Sequence, residues 1–318
     1  MFHIAKIAFT VSLTASLLVA CGGGSSSPAP APTTPPVTGG GDGTTGDPIR
    51  RSNIEFKQAA TESGDLPLRL DIYQPSDRCD ANRPTVLYVH GGSFTSGDKS
   101  SVFITALANA TNDKGFNFVS INYRLAGNEA VLSDPYKPIF DRFVVEAEGS
   151  GTSSVIINAA VAATEDTVSA LNWMQTNADT YCLDMSRLAY WGGSAGSYTV
   201  LQVAYGLNQY NIARPEPDVV INYWGDLFLD TDLEFREAPF LTVHGDADTV
   251  VDYLHAVDLA ERADEVGVPY SFYTGVGDGH GVNPLKQVNG VTLLDLTVNF
   301  IDAHIVGGTP LYETADAP

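Results

Sequence analysis

The chain has 318 residues, of which 44% are hydrophobic, an ordinary share for a protein with a full core. Its 38 acidic residues outnumber 17 basic ones, giving a formal charge of −21, which repels nucleic acid and anionic substrates and excludes both as partners. The first 48 residues differ in composition from the rest, leaving about 270 for one large domain or two small ones.

Lys6 opens the N-terminus with a weak positive charge. Ile7 to Ala20 is a mostly apolar run of 14 residues, too short to span a bilayer. It ends Leu18-Val19-Ala20-Cys21, which resembles the lipobox of bacterial lipoprotein signals. The resemblance implies a lipidated Cys21 as the first mature residue; a plain secretory signal cut near Ala20 is the alternative. Gly22 follows rather than Asp, so the inner-membrane retention signal is absent. The expected location is the cell envelope, on the outer membrane, or outside the cell, with membrane contact only through the lipid anchor. Gly22 to Pro48 is almost all Gly, Ser, Pro, Thr and Ala, with Val37 its one large apolar residue. It packs no core and reads as a tether of roughly 30 Å.

Beyond it, short apolar runs predict strands at Asn53–Gln58, Leu68–Tyr73, Thr85–His90, Phe116–Asn122, Arg187–Trp191, Asp218–Tyr223, Pro239–His244 and Pro269–Thr274. The later runs are apolar on both faces, as a sheet covered on both sides requires. Helical patterns fill the gaps at Ser101–Asn112, Val155–Asn177, Ala195–Leu207, Asp252–Val266 and Pro284–His304. Alternation of this kind implies an α/β fold with a mostly parallel eight-stranded sheet. The first two runs have no helix between them and start the sheet antiparallel. No repeat or second linker interrupts the pattern, so residues 49–318 form one domain. The irregular stretch from Arg124 to Val155 is either a lid or a surface insertion. Cys79 and Cys182 each lie six residues before an apolar run. If those two runs are neighbouring parallel strands, both cysteines emerge at one sheet edge and a disulfide is geometrically possible; two separate thiols are the other reading.

The chemistry centres on Gly192-Gly193-Ser194-Ala195-Gly196, a G-x-S-x-G string between an apolar strand and a helical pattern. A turn that sharp leaves no room for flanking side chains, and glycines remove the collision. The serine then stands above the carboxyl edge of the sheet, at the positive end of the following helix. A serine needs a base. His3 lies in the signal, His90 and His244 end strands, and His255 and His304 sit in helical patterns. His280, in Gly277-Asp-Gly-His-Gly281 after the last strand, is placed to reach over the edge. Its carboxylate partner is Asp248, Asp246 or Asp226, which spacing alone does not separate. The amides of Gly92, Ser93 and Ala195 are the expected oxyanion donors, since Gly91-Gly92 lets backbone approach a ligand closely. Phe94, Tyr198 and Trp224 are the expected pocket residues, Trp224 because it follows a strand at the carboxyl edge; Trp173 is large enough to line a pocket too, although such residues, Tyr198 and Trp224 included, more often simply pack. No phosphate loop, dinucleotide fingerprint or zinc-spaced cluster occurs, so no cofactor and no metal are expected.

The strings "HGGSF" (90–94), "INYRLA" (121–126), "AATEDTVSALNWM" (162–174), "WGGSAGSY" (191–198), "VHGDADTVV" (243–251) and "GDGHG" (277–281) follow one another in the order of a known family. Over about residues 50–305 the chain resembles the α/β-hydrolase carboxylesterases related to hormone-sensitive lipase and to feruloyl and acetylxylan esterases. The resemblance implies an α/β-hydrolase fold, Asp248 as the acid, His280 as the base, and an oxyanion hole from "HGG" and the residue after the serine. It makes the third and fifth strands neighbours, which supports a Cys79–Cys182 pair, and gives Glu165 and Asp166 a structural role. Ser93 departs from the family, where glycine is common, and the stretch before "EDT" is longer than usual. The implied activity is serine-dependent hydrolysis of short-chain or aromatic carboxylic esters on small molecules or polymers. The alternatives are a binding module on a hydrolase fold, or a peptidase of the prolyl-oligopeptidase type, for which the N-terminal region is too short to hold the usual propeller.

Overall fold

The computed structural model describes residues 48–318. The expected signal, Cys21 and the tether up to residue 47 lie outside the described residues. The chain opens with an antiparallel pair, β1 (Ile49–Thr61) and β2 (Gly64–Gln74). Then β3 (Arg83–Val89), α1 (Val102–Asn112) and β4 (Asn117–Ile121) make the first parallel crossover. After α2 (Lys137–Glu146), α3 (Ser154–Thr176) and α4 (Ala178–Tyr181), the chain enters β5 (Leu183–Gly193) and α5 (Ala195–Leu201). It continues through β6 (Val219–Tyr223), β7 (Phe240–Gly245), α6 (Tyr253–Val266) and β8 (Tyr270–Gly275). The small hairpin β9 (Gln287–Val288) and β10 (Val291–Thr292), α7 (Leu293–Ile305) and β11 (Thr314–Ala317) complete it.

The main sheet runs β1-β2-β4-β3-β5-β6-β7-β8-β11 and is parallel from β4 onward. The eight expected strands are all in it. β11 adds a ninth, too short and too polar to have stood out as an apolar run. Alternate residues of β3 face opposite layers. Leu87 and Val89 join the cluster under α2, α3, α5 and α6, while Val86 and Tyr88 join the cluster under α1 and α7. β4, β6 and β7 are buried at every position, which is why they read as continuous apolar runs. Each fully buried Leu or Ile adds about 2 kcal/mol of burial free energy. Helix starts are set by side-chain caps: Ser101 accepts from the Ile104 amide, Asp252 from Leu254 and Thr292 from Asp295.

The last helix is shorter than its pattern. Asn289 and Gly290 take φ 52° and 83°, the left-handed pair that a tight hairpin needs, so β9 and β10 occupy residues expected to be helical. Helix α5 also ends early and passes into one π turn at Gln202–Gly206. The Arg124–Val155 stretch holds two 3₁₀ turns and α2, and it is docked rather than open. Ile139 and Phe143 are buried, and Arg142 holds Asp232 through both guanidinium nitrogens.

Cys79 and Cys182 are joined by a disulfide with Cα atoms 5.6 Å apart. They sit just before β3 and β5, which are paired neighbours. Lys57 and the fully buried Arg124 clamp Glu165 and Asp166, tying β1, the segment after β4 and α3 together. Among the described residues no helix is long and apolar enough to cross a membrane.

Candidate active site

Strand β5 ends at Gly193 and α5 begins at Ala195, so Ser194 alone makes the turn. It does so at φ 54° and ψ −123°, a strained backbone for a residue with a Cβ. The surrounding glycines have separate steric reasons. A Cβ on Gly192 meets the Gly196 carbonyl at 2.4 Å, and one on Gly196 meets the Val89 carbonyl oxygen at 1.9 Å. The helix start is thus pressed against both its own strand and the end of β3. Gly225, after β6, closes the third side: a Cβ there lies 2.3 Å from Ser197 Cβ.

Ser194, His280 and Asp248 come from the ends of β5, β8 and β7 and meet at one point. Ser194 Oγ is 2.8 Å from His280 Nε2, and His280 Nδ1 is 2.8 Å from Asp248 Oδ2. A carboxylate only accepts, so Nδ1 carries the proton and Nε2 is left to accept from the hydroxyl. Asp248 Oδ1 accepts from the amides of Val250 and Val251 at 2.8 and 3.0 Å. Burial works against its charge, but hydrogen bonds from His244, His280 and the Val250 amide outweigh burial and hold the carboxyl far below the usual carboxylate range.

The other two acids go elsewhere. Asp246 accepts from the Gly277 amide at 2.6 Å and so braces the loop that carries His280. Asp226 is paired with His255 Nδ1 at 2.8 Å. The remaining histidines are also placed. His90 is buried, donates Nδ1–H to the Gly91 carbonyl at 2.7 Å and stacks on Tyr123; burial lowers its imidazole below the usual value. His304 packs with Phe300 and Tyr312 far from the site.

The loop after β3 lies against the elbow. A Cβ on Gly91 would stand 2.7 Å from the Gly193 oxygen and 3.0 Å from Ser194 Cβ. Gly92, Ser93 and Phe94 have φ of 121°, 51° and 59°. Three left-handed residues in a row explain why glycine suits the third position, and Ser93 holds the same backbone at the cost of strain. Among the described residues, the amides of Gly92, Ser93 and Ala195 have no protein acceptor. A developing oxyanion requires free donors of this kind.

The expected pocket residues divide between the two faces of the sheet. Phe94 and Tyr198 both pack on Phe228, with ring centroids at 6.4 and 5.0 Å, and Phe143 of α2 joins them at 4.6 Å. Trp224 sits on the other face between Phe103 and Tyr223. Its φ is 43°, and its amide donates to the Val243 carbonyl at 2.7 Å. Trp173 packs against Tyr181, away from the site. Sequence reasoning missed Phe228, Phe103, Gly225 and the contact of His244 with Asp248. Only the last two had a visible signal: a glycine directly after a strand, and a histidine four residues before the acid. Among the described residues no group of His, Cys, Asp and Glu could hold a metal ion.

Residues 70–135 match the protein-family model described as BD-FAE. Lipase 4 of Diutina rugosa is 31% identical over 161 residues, covering 48% of this chain and 26% of the lipase. The non-reducing polyketide synthase Preu6 of Preussia isomera is 23% identical over 196 residues, 61% of this chain and 8% of the synthase. The chain thus spans about a quarter or less of these curated relatives. Among solved structures, a truncated carbohydrate esterase from gut microbiota aligns at TM-score 0.58 and 17% identity, over 81% of this chain and 96% of that one. Esterase 2 of Thermogutta terrifontis, phosphoramylated by tabun, aligns at 0.60 and 15%, over 81% and 94%. At such identities the likeness establishes the fold, and that fold is the α/β-hydrolase fold.

Proposed function

We propose that this α/β-hydrolase is a serine carboxylesterase working through an acyl-enzyme. The observation that supports it most is the unbroken Ser194–His280–Asp248 hydrogen-bond chain on a strained elbow. Ser194 Oγ attacks the ester carbonyl carbon while His280 Nε2 takes the hydroxyl proton. Asp248, ionised and held by two amides, keeps the proton on Nδ1 and offsets the imidazolium charge. The oxyanion accepts from the amides of Gly92, Ser93 and Ala195. The C–O bond then breaks, and His280 returns its proton to the leaving alcohol. Water, deprotonated by the same imidazole, hydrolyses the acyl-Ser194 ester and frees the acid.

The substrates are short or aromatic acyl esters of small molecules or polymers. The acidic surface disfavours anionic ones, and the indole nitrogen of Trp224, 4.0 Å from a Cβ placed on Gly193, stands beside the elbow. The domain at 49–318 is carried on a tether behind a lipidated Cys21. It enters the fold at Ile49, whose partner Gln74 is at the sheet edge opposite Ser194.

The test is turnover of p-nitrophenyl acetate and butyrate by wild type and Ser194→Ala, with fluorophosphonate labelling of both. Wild type turns over and is labelled; the variant loses at least about 10⁴-fold and is not labelled. Equal activity of the two, or an unlabelled and inert wild type, overturns the reading, and the second result identifies a binding module instead.

A further inference from the structure

Asp248 has a second imidazole on the oxygen that His280 uses. His244, at the end of β7, is completely buried. Its Nε2 is 2.9 Å from the Val251 carbonyl oxygen and 3.3 Å from Asp248 Oδ2. A carbonyl oxygen only accepts, so the proton is on Nε2 and is directed at that carbonyl, with the carboxylate oxygen beside it at the longer distance. The opposite nitrogen, Nδ1, is buried with no hydrogen-bond partner among the described residues. A proton there would be an unpaired buried donor on a cation, which is costly, so the neutral Nε2–H tautomer is the one that accounts for both contacts. The carboxylate therefore receives two amides on Oδ1 and the His280 N–H on Oδ2, with the His244 N–H lying 3.3 Å from the same oxygen.

We infer that His244 is a positioning residue. Its Nε2–H holds Asp248 Oδ2 towards His280 and tempers the basicity of that oxygen, so the working unit is a chain of four side chains rather than three. This rests on the proposed esterase reading and deepens it. The turn makes the arrangement: residues 245–251 return the Val251 carbonyl and the Asp248 carboxylate to the same ring nitrogen.

The groups facing this chain are few. Tyr253 of α6 lies edge-on to His244, with ring centroids 6.1 Å apart. Asp226 after β6 interacts electrostatically with His244, and Tyr198 of α5 with Asp248. Asp246 in the turn is engaged by Gly277. Among the described residues, His280 is hydrogen-bonded to Oδ2 and His244 lies within ion-pair distance of it.

The experiment compares wild type with His244→Gln, whose amide reaches the Nε2 position, and with His244→Asn and His244→Phe, whose side chains put no donor there. Wild type and Ser194→Ala are assayed first on p-nitrophenyl acetate, so that failure of the esterase reading is seen separately. A hydrogen bond to a charged group is worth on the order of tenfold or more, and a shared one at 3.3 Å is at the weak end. Asn and Phe are expected to lower kcat about tenfold with KM little changed. They also move the acid limb of kcat/KM to higher pH, because an Oδ2 with one donor fewer binds the His280 proton more tightly. Gln restores both kcat and the limb. Should Phe not fold, the Gln and Asn pair carries the test. Wild-type kcat and pH limb in Asn, or equal losses in Gln and Asn with the limb unmoved, would overturn the inference.

Discussion

Gly196→Ala is the sharpest probe of the elbow, because its effect follows from one distance. The added Cβ stands 1.9 Å from the Val89 carbonyl oxygen and 2.6 Å from the carbonyl carbon. An ordinary contact is about 3.4 Å, so helix α5 must move about 1.5 Å away from the end of β3. Neither side yields easily, since both contacting atoms are backbone in the core of the sheet. Overpacking of this kind costs about 3 kcal/mol or more, a fall in Tm of about 6–10 °C for a domain of this size. The shift also carries Ser194 and the Ala195 amide away from Gly92, Ser93 and His280. A misplacement of about 1 Å at reacting atoms costs on the order of 100-fold, so kcat falls by at least that factor. The assay is p-nitrophenyl acetate turnover beside thermal melting, with Gly127→Ala as control. A Cβ at Gly127 meets nothing within 4 Å, and its φ is not left-handed, so this variant keeps both activity and Tm. If Gly196→Ala melted and turned over like wild type, the tight seating of α5 on β3 would be wrong, and with it the steric account of the glycines.

Three further outcomes follow from the same geometry. Asp248→Asn lowers kcat/KM by about 10³-fold or more, Asp246→Asn by about tenfold or less through a looser 277 loop, and Asp226→Asn costs stability with its His255 partner rather than turnover; any other ranking in steady-state kinetics reassigns the acid. Replacing Cys79 and Cys182 by Ser opens a loop of 103 residues, worth up to about 4.7 kcal/mol by chain entropy; guanidinium unfolding should show a loss of about 2–4 kcal/mol while kcat at 25 °C is unchanged, and an unmoved midpoint contradicts this. Burial, with Asp226 and Asp258 nearby, raises the Asp230 carboxyl to about 8. A raised folded value means its stabilising contribution is complete below the unfolded 3.8 and is lost as pH rises to about 8, so Asp230→Asn raises Tm more at pH 8 than at pH 5, and an equal effect at both pH values refutes it.

The parts legible in the sequence were those with a local cause. Continuous apolar runs such as Phe240–Val243 exist because helices cover both faces, and the glycines around Ser194 exist because backbone occupies the space of their side chains. The misread parts had a local pattern that tertiary structure overrode. Leu285, Val288, Val291, Leu294, Val298 and Ile301 keep a helical spacing straight through Asn289-Gly290, yet the left-handed turn at that pair won and the helix waited for the Thr292 cap. Phe228 and Phe103 carried no mark to distinguish them from other phenylalanines, because their roles come from which neighbour the fold delivers. His244 was visible as the first residue of "HGDAD". Its contact with Asp248 depends on how the turn to Val251 closes, which spacing does not encode.

Four of the ten left-handed non-glycine residues among the described residues gather at one edge of this sheet. Ser93, Phe94, Ser194 and Trp224 all have left-handed φ, of 51°, 59°, 54° and 43°, and all four follow carboxyl ends of β3, β5 or β6. Each such residue costs on the order of 1–3 kcal/mol, and the surroundings must hold it there. At this edge the holding is done by contacts that leave the backbone no alternative: Gly196 on Val89, Gly225 on Ser197, and the Trp224 amide on Val243. The offsetting stability sits in the buried strands and at the opposite edge, where the disulfide closes β3 onto β5 and β1 begins opposite Gln74. Cys182 is also left-handed there, at φ 56°, but it is fixed covalently. Loops at the carboxyl edge that avoid these contacts can therefore vary without disturbing the buried strands and the disulfide, whereas any change that relaxes Ser194 towards an ordinary backbone separates it from His280.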